Sequence, residues 1–272
     1  GFDGDVLTLV TDNSSIYVGG QFSHYRGQAT PGGLVRIDAT TCQILTTYFL
    51  STDQVTQTTA LALSGSSLFI ASDGKLYQGA SIASITGLSL IKVDAATTAR
   101  AAAFLPNFPV PALARLLATS GALYAGLFKL DATTGIYDPA FVLPFNTTVH
   151  AYALAGNTLY VGGLFTGSVV QELRKFDATT GAPDASFDAA VSFDAVVYDL
   201  ALSGNALYVA GDFQHVGSQA RPGLAKLDAT TGALDATFTP PGNWSFSAAG
   251  VRALQLLNGS LYAAGDYIVS GG

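Results

Sequence analysis

The chain repeats itself, and the repeat is what most limits the folds open to it. An alternating strand, a tight turn and a second strand closing on Tyr-small-Gly recur six times. The copies read "VLTLVTDNSSIYVGGQF", "TALALSGSSLFIASD", "ALARLLATSGALYAG", "AYALAGNTLYVGGLF", "YDLALSGNALYVAGDF" and "VRALQLLNGSLYAAGDY". The aromatic marker stands at Tyr17, Phe69, Tyr124, Tyr160, Tyr208 and Tyr262, with spacings of 52, 55, 36, 48 and 54 residues. A second segment follows in five copies: "LVRIDATTCQI", "LIKVDAATTAR", "LFKLDATTGIYDPAF", "LRKFDATTGAPDASF" and "LAKLDATTGALDATF".

Each full copy therefore holds two hairpins. Period-two alternation of β-branched and aromatic residues, bounded by Gly, Asn and Ser, is the strand signature. Four strands per unit of roughly 40–55 residues is the arithmetic of a β-propeller. The expectation is an all-β, single-domain β-propeller over residues 1–272, with about six four-stranded blades. The copies fall at approximately 6–55, 56–108, 109–148, 149–194, 195–247 and 248–272, the last partial. A linear solenoid is the alternative. The only local helix candidate is "TTARAAAF", where other copies have a turn and a strand.

Two copies depart from the pattern. In the third, "LYAG" runs almost directly into "LFKLD", which deletes a loop and shortens the blade. The sixth reads only to "GDYIVSGG". A half blade leaves an unpaired strand edge, which proteins normally cover. More chain, the N-terminus or a neighbouring molecule is expected to complete it, and the fragment alone is expected to self-associate or be unstable. The opening "GFDGD" reads like "SFDAA", the tail of a preceding copy.

Composition narrows the partners. Apolar residues make up 49% of the chain and charged residues only 11%, with a net charge of −7. That balance provides no basic stripe for nucleic acid, and no apolar run approaches a membrane span of ~18–20 residues. The absence of Met fits a mature secreted product or an excerpt of a longer chain. Cys42 is the single cysteine, so no internal disulfide can form.

The stretch "LALSGNALYVAGDFQHVGSQARPGLAKLDATTGALDATF" closely resembles the delta-60 repeat, a propeller-forming repeat of bacterial secreted and cell-surface proteins. The resemblance spans essentially the whole chain and is strongest in copies four and five. Copy two departs from it at "IASDGKLY", and copy three lacks the loop. The Leu-Asp-x-x-Thr-Gly turn is also similar to one in quinoprotein-type propellers, where the position of Phe238 would be Trp. The resemblance implies a propeller and an extracellular or cell-surface setting, and it brings no catalytic residues with it.

The residues that invite a chemical reading are mostly repeated ones. Arg36/Asp38, Lys92/Asp94, Lys129/Asp131, Lys175/Asp177 and Lys226/Asp228 recur once per copy. Catalysis needs a unique constellation, whereas Asp before Ala-Thr-Thr-Gly is turn chemistry. Cys42 takes the place held by Gly135, Gly181 and Gly232, so its turn is expected to be remodelled. His24 and His215 occupy equivalent positions, His150 opens copy four, and no metal-ligand spacing joins them. "DGD", "TDN" and "SDG" (Asp3–Asp5, Asp12–Asn13, Asp73–Gly74) do not extend into a calcium loop. No nucleophile elbow is present, and Glu172 is the sole Glu. Asn13, Asn146, Asn243 and Asn258 head glycosylation sequons.

The loops between second and third strands carry the variety, as binding loops on rigid scaffolds do. Their candidate contact residues are Tyr25, Arg26, Tyr77, Gln78, Gln214, His215 and Arg221. The expectation is a non-enzymatic binding or adhesion scaffold for protein or glycan, without cofactor, metal or catalytic residues. A structural subunit completed by strand addition from another chain is the alternative, and a glycan-active enzyme using the central cleft is the third reading.

Overall fold

The computed structural model describes residues 1–12, 14–30, 33–47, 55–74, 89–106, 115–144, 148–165, 171–239 and 244–269. They form two compact units, Gly1–Asp138 and Pro139–Gly272. Both are built from small antiparallel sheets that follow one another along the chain.

In the first unit, β1 (Asp5–Thr11), β2 (Ser15–Gln21), β5 (Leu34–Asp38) and β6 (Ile44–Thr47) make a four-stranded sheet. The short hairpin β3 (His24–Tyr25) and β4 (Gln28–Ala29) interrupts it. Next come β7 (Val55–Ser64), β8 (Ser67–Gly74) and β9 (Ser89–Asp94), then β10 (Leu116–Ala118), β11 (Ala122–Ala125) and β12 (Phe128–Asp131). In the second unit, β13 (Thr148–Ala155), β14 (Thr158–Phe165) and β15 (Gln171–Asp177) precede helix α1 (Ala185–Ala190). A further sheet joins β16 (Val197–Ser203), β17 (Ala206–Gly211) and β20 (Leu224–Asp228), with β18 (His215–Val216) and β19 (Gln219–Ala220) as its side hairpin. The last pair is β21 (Trp244–Leu257) and β22 (Ser260–Val269).

Within each unit, apolar residues on facing sheets interlock. Tyr17 and Leu34 of the first sheet share a buried cluster with Leu61, Leu68 and Val93 of the next. Tyr160 and Leu173 share another with Leu200, Leu207 and Phe213, and Ala210 and Leu224 meet Val251 and Leu254. A sheet covered on both sides needs both of its alternating rows to be apolar, which is why the chain affords so few charges.

The Tyr-small-Gly phrase has a steric cause. The first strand in copies one, four, five and six shifts register where it faces the Gly, as between Val6 and Thr8 or Val197 and Asp199. A Cβ on Gly20, Gly163 or Gly211 would stand 2.1, 2.3 or 2.2 Å from a carbonyl oxygen of that strand. No side chain fits there.

The turn after the third strand is the same in all five copies. The Oδ1 of Asp38, Asp94, Asp131, Asp177 and Asp228 accepts two backbone N–H groups and a Thr hydroxyl from the residues that follow. Gly135, Gly181 and Gly232 close it with φ near +77, +75 and +77°. Contrary to expectation, Cys42 leaves the turn intact: it holds φ +56° and donates its N–H to Asp38 O at 2.9 Å. The hydrogen-bonded cap outweighs the penalty of roughly 1–2 kcal/mol for a side chain in the left-handed region. Thr98 holds the same position at φ +62°, and a β-branched residue is a genuine outlier there. Thr98→Gly is expected to stabilise the chain by about 0.5–1 kcal/mol, since relief of strain exceeds the added freedom of the unfolded chain. A urea titration showing equal or lower stability would refute this.

The fourth strand differs from expectation. Among the described residues only the first sheet has one, β6. In the next four copies it shrinks to single bridges, Val93–Arg100, Leu130–Tyr137, Phe176–Pro183 and Leu227–Leu234. In copies four and five an Asp side chain captures the backbone just past the bridge. Asp184 accepts from Ser186 N and Phe187 N, and Asp235 from Thr237 N. Asp184 thereby caps α1, the one helix among the described residues. The Ala-rich candidate at 97–104 forms a bridge and a turn instead, because Arg100 is held to Val93 and Ala101 donates to Lys92 O. The tail phenylalanine still packs on the marker ring, edge to face: Phe104 on Phe69, Phe187 on Tyr160 and Phe238 on Tyr208, at 5.5, 5.7 and 5.6 Å.

The N-terminus is also reassigned. Phe2 bridges Tyr25 and packs on Phe22, and Asp3 N donates to His24 O. The same arrangement recurs with Phe193, which bridges Val216. "GFDGD" therefore corresponds to "SFDAV" at 192–196 rather than to "SFDAA" at 186–190, and packs on the side hairpin that follows it. The third copy has the shortened connection expected of it, Ala125 pairing with Phe128 across a two-residue turn.

Candidate functional site

The Lys226–Asp228–Asp235 group lines an open depression of about 480 Å³ together with Ser203 and Asn205. Lys226 Nζ donates to Asp235 Oδ2 at 2.8 Å. That hydrogen bond holds the Asp235 carboxyl far below the usual range and raises the Lys226 ammonium. The Thr231 amide and hydroxyl lower Asp228, whose second oxygen accepts from Asn205. All three groups are thus fixed in their charged forms. The arrangement is also repeated: Lys129–Asp138 and Lys175–Asp184 are paired at 3.1 and 3.0 Å, and Asn157 bonds Asp177. Lys92 and Lys175 reach on to the turn of the next sheet, donating to Ala132 O and Thr230 O. These residues fasten one repeat to another.

The side hairpins β3–β4 and β18–β19 form the second arrangement. Asp194 Oδ1 accepts from the amides of Gln214 and His215, and its Oδ2 lies 2.8 Å from His215 Nδ1. Burial works against its charge, but these hydrogen bonds outweigh burial and lower its pKa. Asp3 holds Ser23 and His24 in the same way, at 2.8 Å from each amide. The Ser23 hydroxyl and the His24 amide are the main causes of its depressed pKa. Although Ser23, His24 and Asp3 lie together, the hydroxyl and the carboxylate address the same ring nitrogen, at 2.8 and 3.0 Å. A proton relay needs them on opposite nitrogens.

Of the loop candidates, Gln214 and His215 are exposed and set on this rigid base. Arg26 is exposed at φ +51°, its guanidinium 5.4 Å from the Tyr25 ring. Tyr25 is buried, with its hydroxyl donating to Cys42 O, so its role in the hairpin is packing. Arg221 ties the β18–β19 hairpin to the tail of its copy through Ala220 O and Ala236 O. Tyr77 and Gln78 lie outside the described residues, as do Asn13, Asn146 and Asn243. Asn258 sits at φ +50° in the exposed turn between β21 and β22. Among the described residues no group of three or more His, Cys, Asp or Glu side chains could hold a metal, and no helix is long and apolar enough to cross a membrane.

One cluster had no sequence signal. The residue inside the register shift of β13, β16 and β21 is His150, Tyr198 and Arg252, respectively. A bulge re-aims its extra side chain, and these three meet: His150 packs edge-on to Tyr198 at 5.6 Å, and Arg252 lies 4.3 Å from the same ring. Tyr198 donates to Asp212 Oδ2 at 2.6 Å. Burial and that bond raise its pKa. Leu7 and Thr59 hold the corresponding positions in the first unit.

A family model described as "Domain of unknown function (DUF5122) beta-propeller" matches residues 205–238. A comparison with curated proteins found no match. The matched stretch runs from the turn before β17 to the tail phenylalanine. Because its turn, marker and tail recur along the chain, the match supports a β-propeller family for this protein.

Proposed function

We propose that the chain is a non-enzymatic β-propeller scaffold, its sheets serving as blades, that binds protein or glycan at the cell surface or outside the cell. The observation that carries this reading is the side hairpin. A buttressing Asp fixes the backbone of β18–β19 and β3–β4 and holds a His common to both, while the residues around it differ between copies: Gln214 and Gly217 in one stand where the other has Ser23 and Arg26. Constant base and variable tip is the design of a recognition loop on a rigid frame. The resemblance to repeats of bacterial secreted proteins supports the extracellular setting. A panel of immobilised glycans and extracellular proteins tests it. Binding should fall about tenfold or more in a Gln214→Ala/His215→Ala double variant, as for residues at the centre of an interface. Equal binding by parent and variant, or none by either, would refute the loop assignment.

A further inference from the structure

In a repeat protein the positions that hold the fold recur, and a position that breaks the repeat is where a separate task is sought. The basic residues of the third strands recur and are tied within the scaffold. Lys129, Lys175 and Lys226 pair with Asp138, Asp184 and Asp235, while Lys92 donates to Ala132 O and Arg36 to Ser15 Oγ. The bulge position of the first strands does not recur. It carries Leu7 and Thr59 in the first unit, and His150, Tyr198 and Arg252 in the second.

The second-unit cluster is built as a rigid seat. The Arg252 guanidinium lies 4.3 Å from the centre of the Tyr198 ring, and stacking of this kind sets the direction of its planar fork of N–H donors. Among the described residues that guanidinium has no carboxylate partner. Tyr198 is held in turn by its hydrogen bond to Asp212 Oδ2, with His150 packed edge-on against the ring. Asp199 accepts from Leu254 N at 2.8 Å and so pins β21 to β16 beside the cluster. Every one of these contacts is made between residues 150 and 254.

The surrounding charges select the ligand. An Arg fork suits a carboxylate or a phosphate. Asp212 and Asp199 flank the cluster, however, and the whole chain carries a net charge of −7. A phosphate or a run of acidic side chains brings more negative charge than one Arg offsets there. Asp212 Oδ1 is moreover buried without a hydrogen-bond partner among the described residues, so the cluster has an acceptor to spare and no need of a second anion. A lone carboxylate among hydroxyl groups meets both conditions, because hydroxyls donate to carboxylates where further anions repel them. We propose that His150, Tyr198 and Arg252 form a binding site for a uronic acid of an acidic saccharide, whose carboxylate sits on the Arg252 guanidinium. This is a second site, separate from the side hairpins, and it does not depend on what their tips bind.

The test is calorimetric titration of the 272-residue chain with three probes: the methyl glycoside of galacturonic acid, the methyl ester of that glycoside, and a triglutamate peptide. The galacturonoside should bind saturably at millimolar concentration, and the ester and the peptide about tenfold more weakly or less. Arg252→Gln should weaken galacturonoside binding by about tenfold or more. Arg252→Lys should recover only part of it, because an ammonium lacks the fork. Arg252 lies outside the buried clusters, so both variants should keep the parent's unfolding midpoint. Absence of saturable galacturonoside binding would overturn the site, and equal binding of the ester would overturn the carboxylate as the group recognised. Equal or tighter binding of triglutamate would make the occupant an acidic peptide and overturn the saccharide. Unchanged binding by Arg252→Gln would overturn the location, and full recovery by Arg252→Lys would overturn the forked seat.

Discussion

Phe187→Ala is expected to lower the unfolding free energy by about 3–5 kcal/mol, the range for truncating a fully buried Phe. Phe187 has no exposed surface. Its ring meets Tyr160 edge to face and lies 5.5 Å below the Lys175 ammonium. It also fills the space beside Gly232, where an added Cβ would approach the ring to 3.3 Å. One side chain thus joins the marker of copy four, the basic residue of its third strand and the turn of copy five. The neighbours are held by sheet hydrogen bonds, so the cavity cannot close by local collapse. A loss below about 1 kcal/mol in urea denaturation would show that α1 repacks freely, contrary to this account.

The second large effect concerns Glu172. It is 1% exposed, and among the described residues neither carboxylate oxygen has a hydrogen-bond partner. Burial pushes its pKa up to about 7 from an ordinary 4.5. The folded chain therefore binds this proton more tightly than the unfolded one. Its stability should fall as pH rises from about 4.5 through 7, with the full penalty present above that range. The turn carboxylates act in the opposite sense. Asp38, Asp94, Asp131, Asp177 and Asp228 are all lowered by their hydrogen bonds, so their contribution is present above the unfolded carboxylate pKa and is lost in acid. Stability should peak between these limits, on the mildly acidic side of neutrality. Glu172→Gln keeps the shape and removes the charge. It should add roughly 2 kcal/mol at about pH 8, allowing for partial screening by water, and almost nothing near pH 5. Parent stability that is flat across this range, or a variant with the parent's slope, would count against a buried neutral carboxyl.

How much of this was legible in the residues differs from feature to feature. "AKLDATTGALDATF" showed its Asx turn, its left-handed Gly and its packing Phe, because each is decided by contacts within a dozen residues. The ion pair was not legible: alternation sets Lys226 beside Asp228, but the partner of Lys226 is Asp235, brought back by the bridge at Leu234. Tyr25 read as a surface contact and is buried, because Phe2, far from it in sequence, packs against it. His150, Tyr198 and Arg252 could not be grouped, since a one-residue bulge breaks the period-two count that assigns faces.

The sequence by itself determined the repeat, the first hairpin of each copy and the Asp-centred turn after each third strand, since these rest on short-range sterics and local hydrogen bonds. Only the tertiary structure decided where the fourth strand gives way to an Asp-capped turn or helix, which aromatics are covered, and which first-strand residues converge. Those outcomes depend on what neighbouring sheets bury, and burial joins residues that the sequence keeps tens of positions apart.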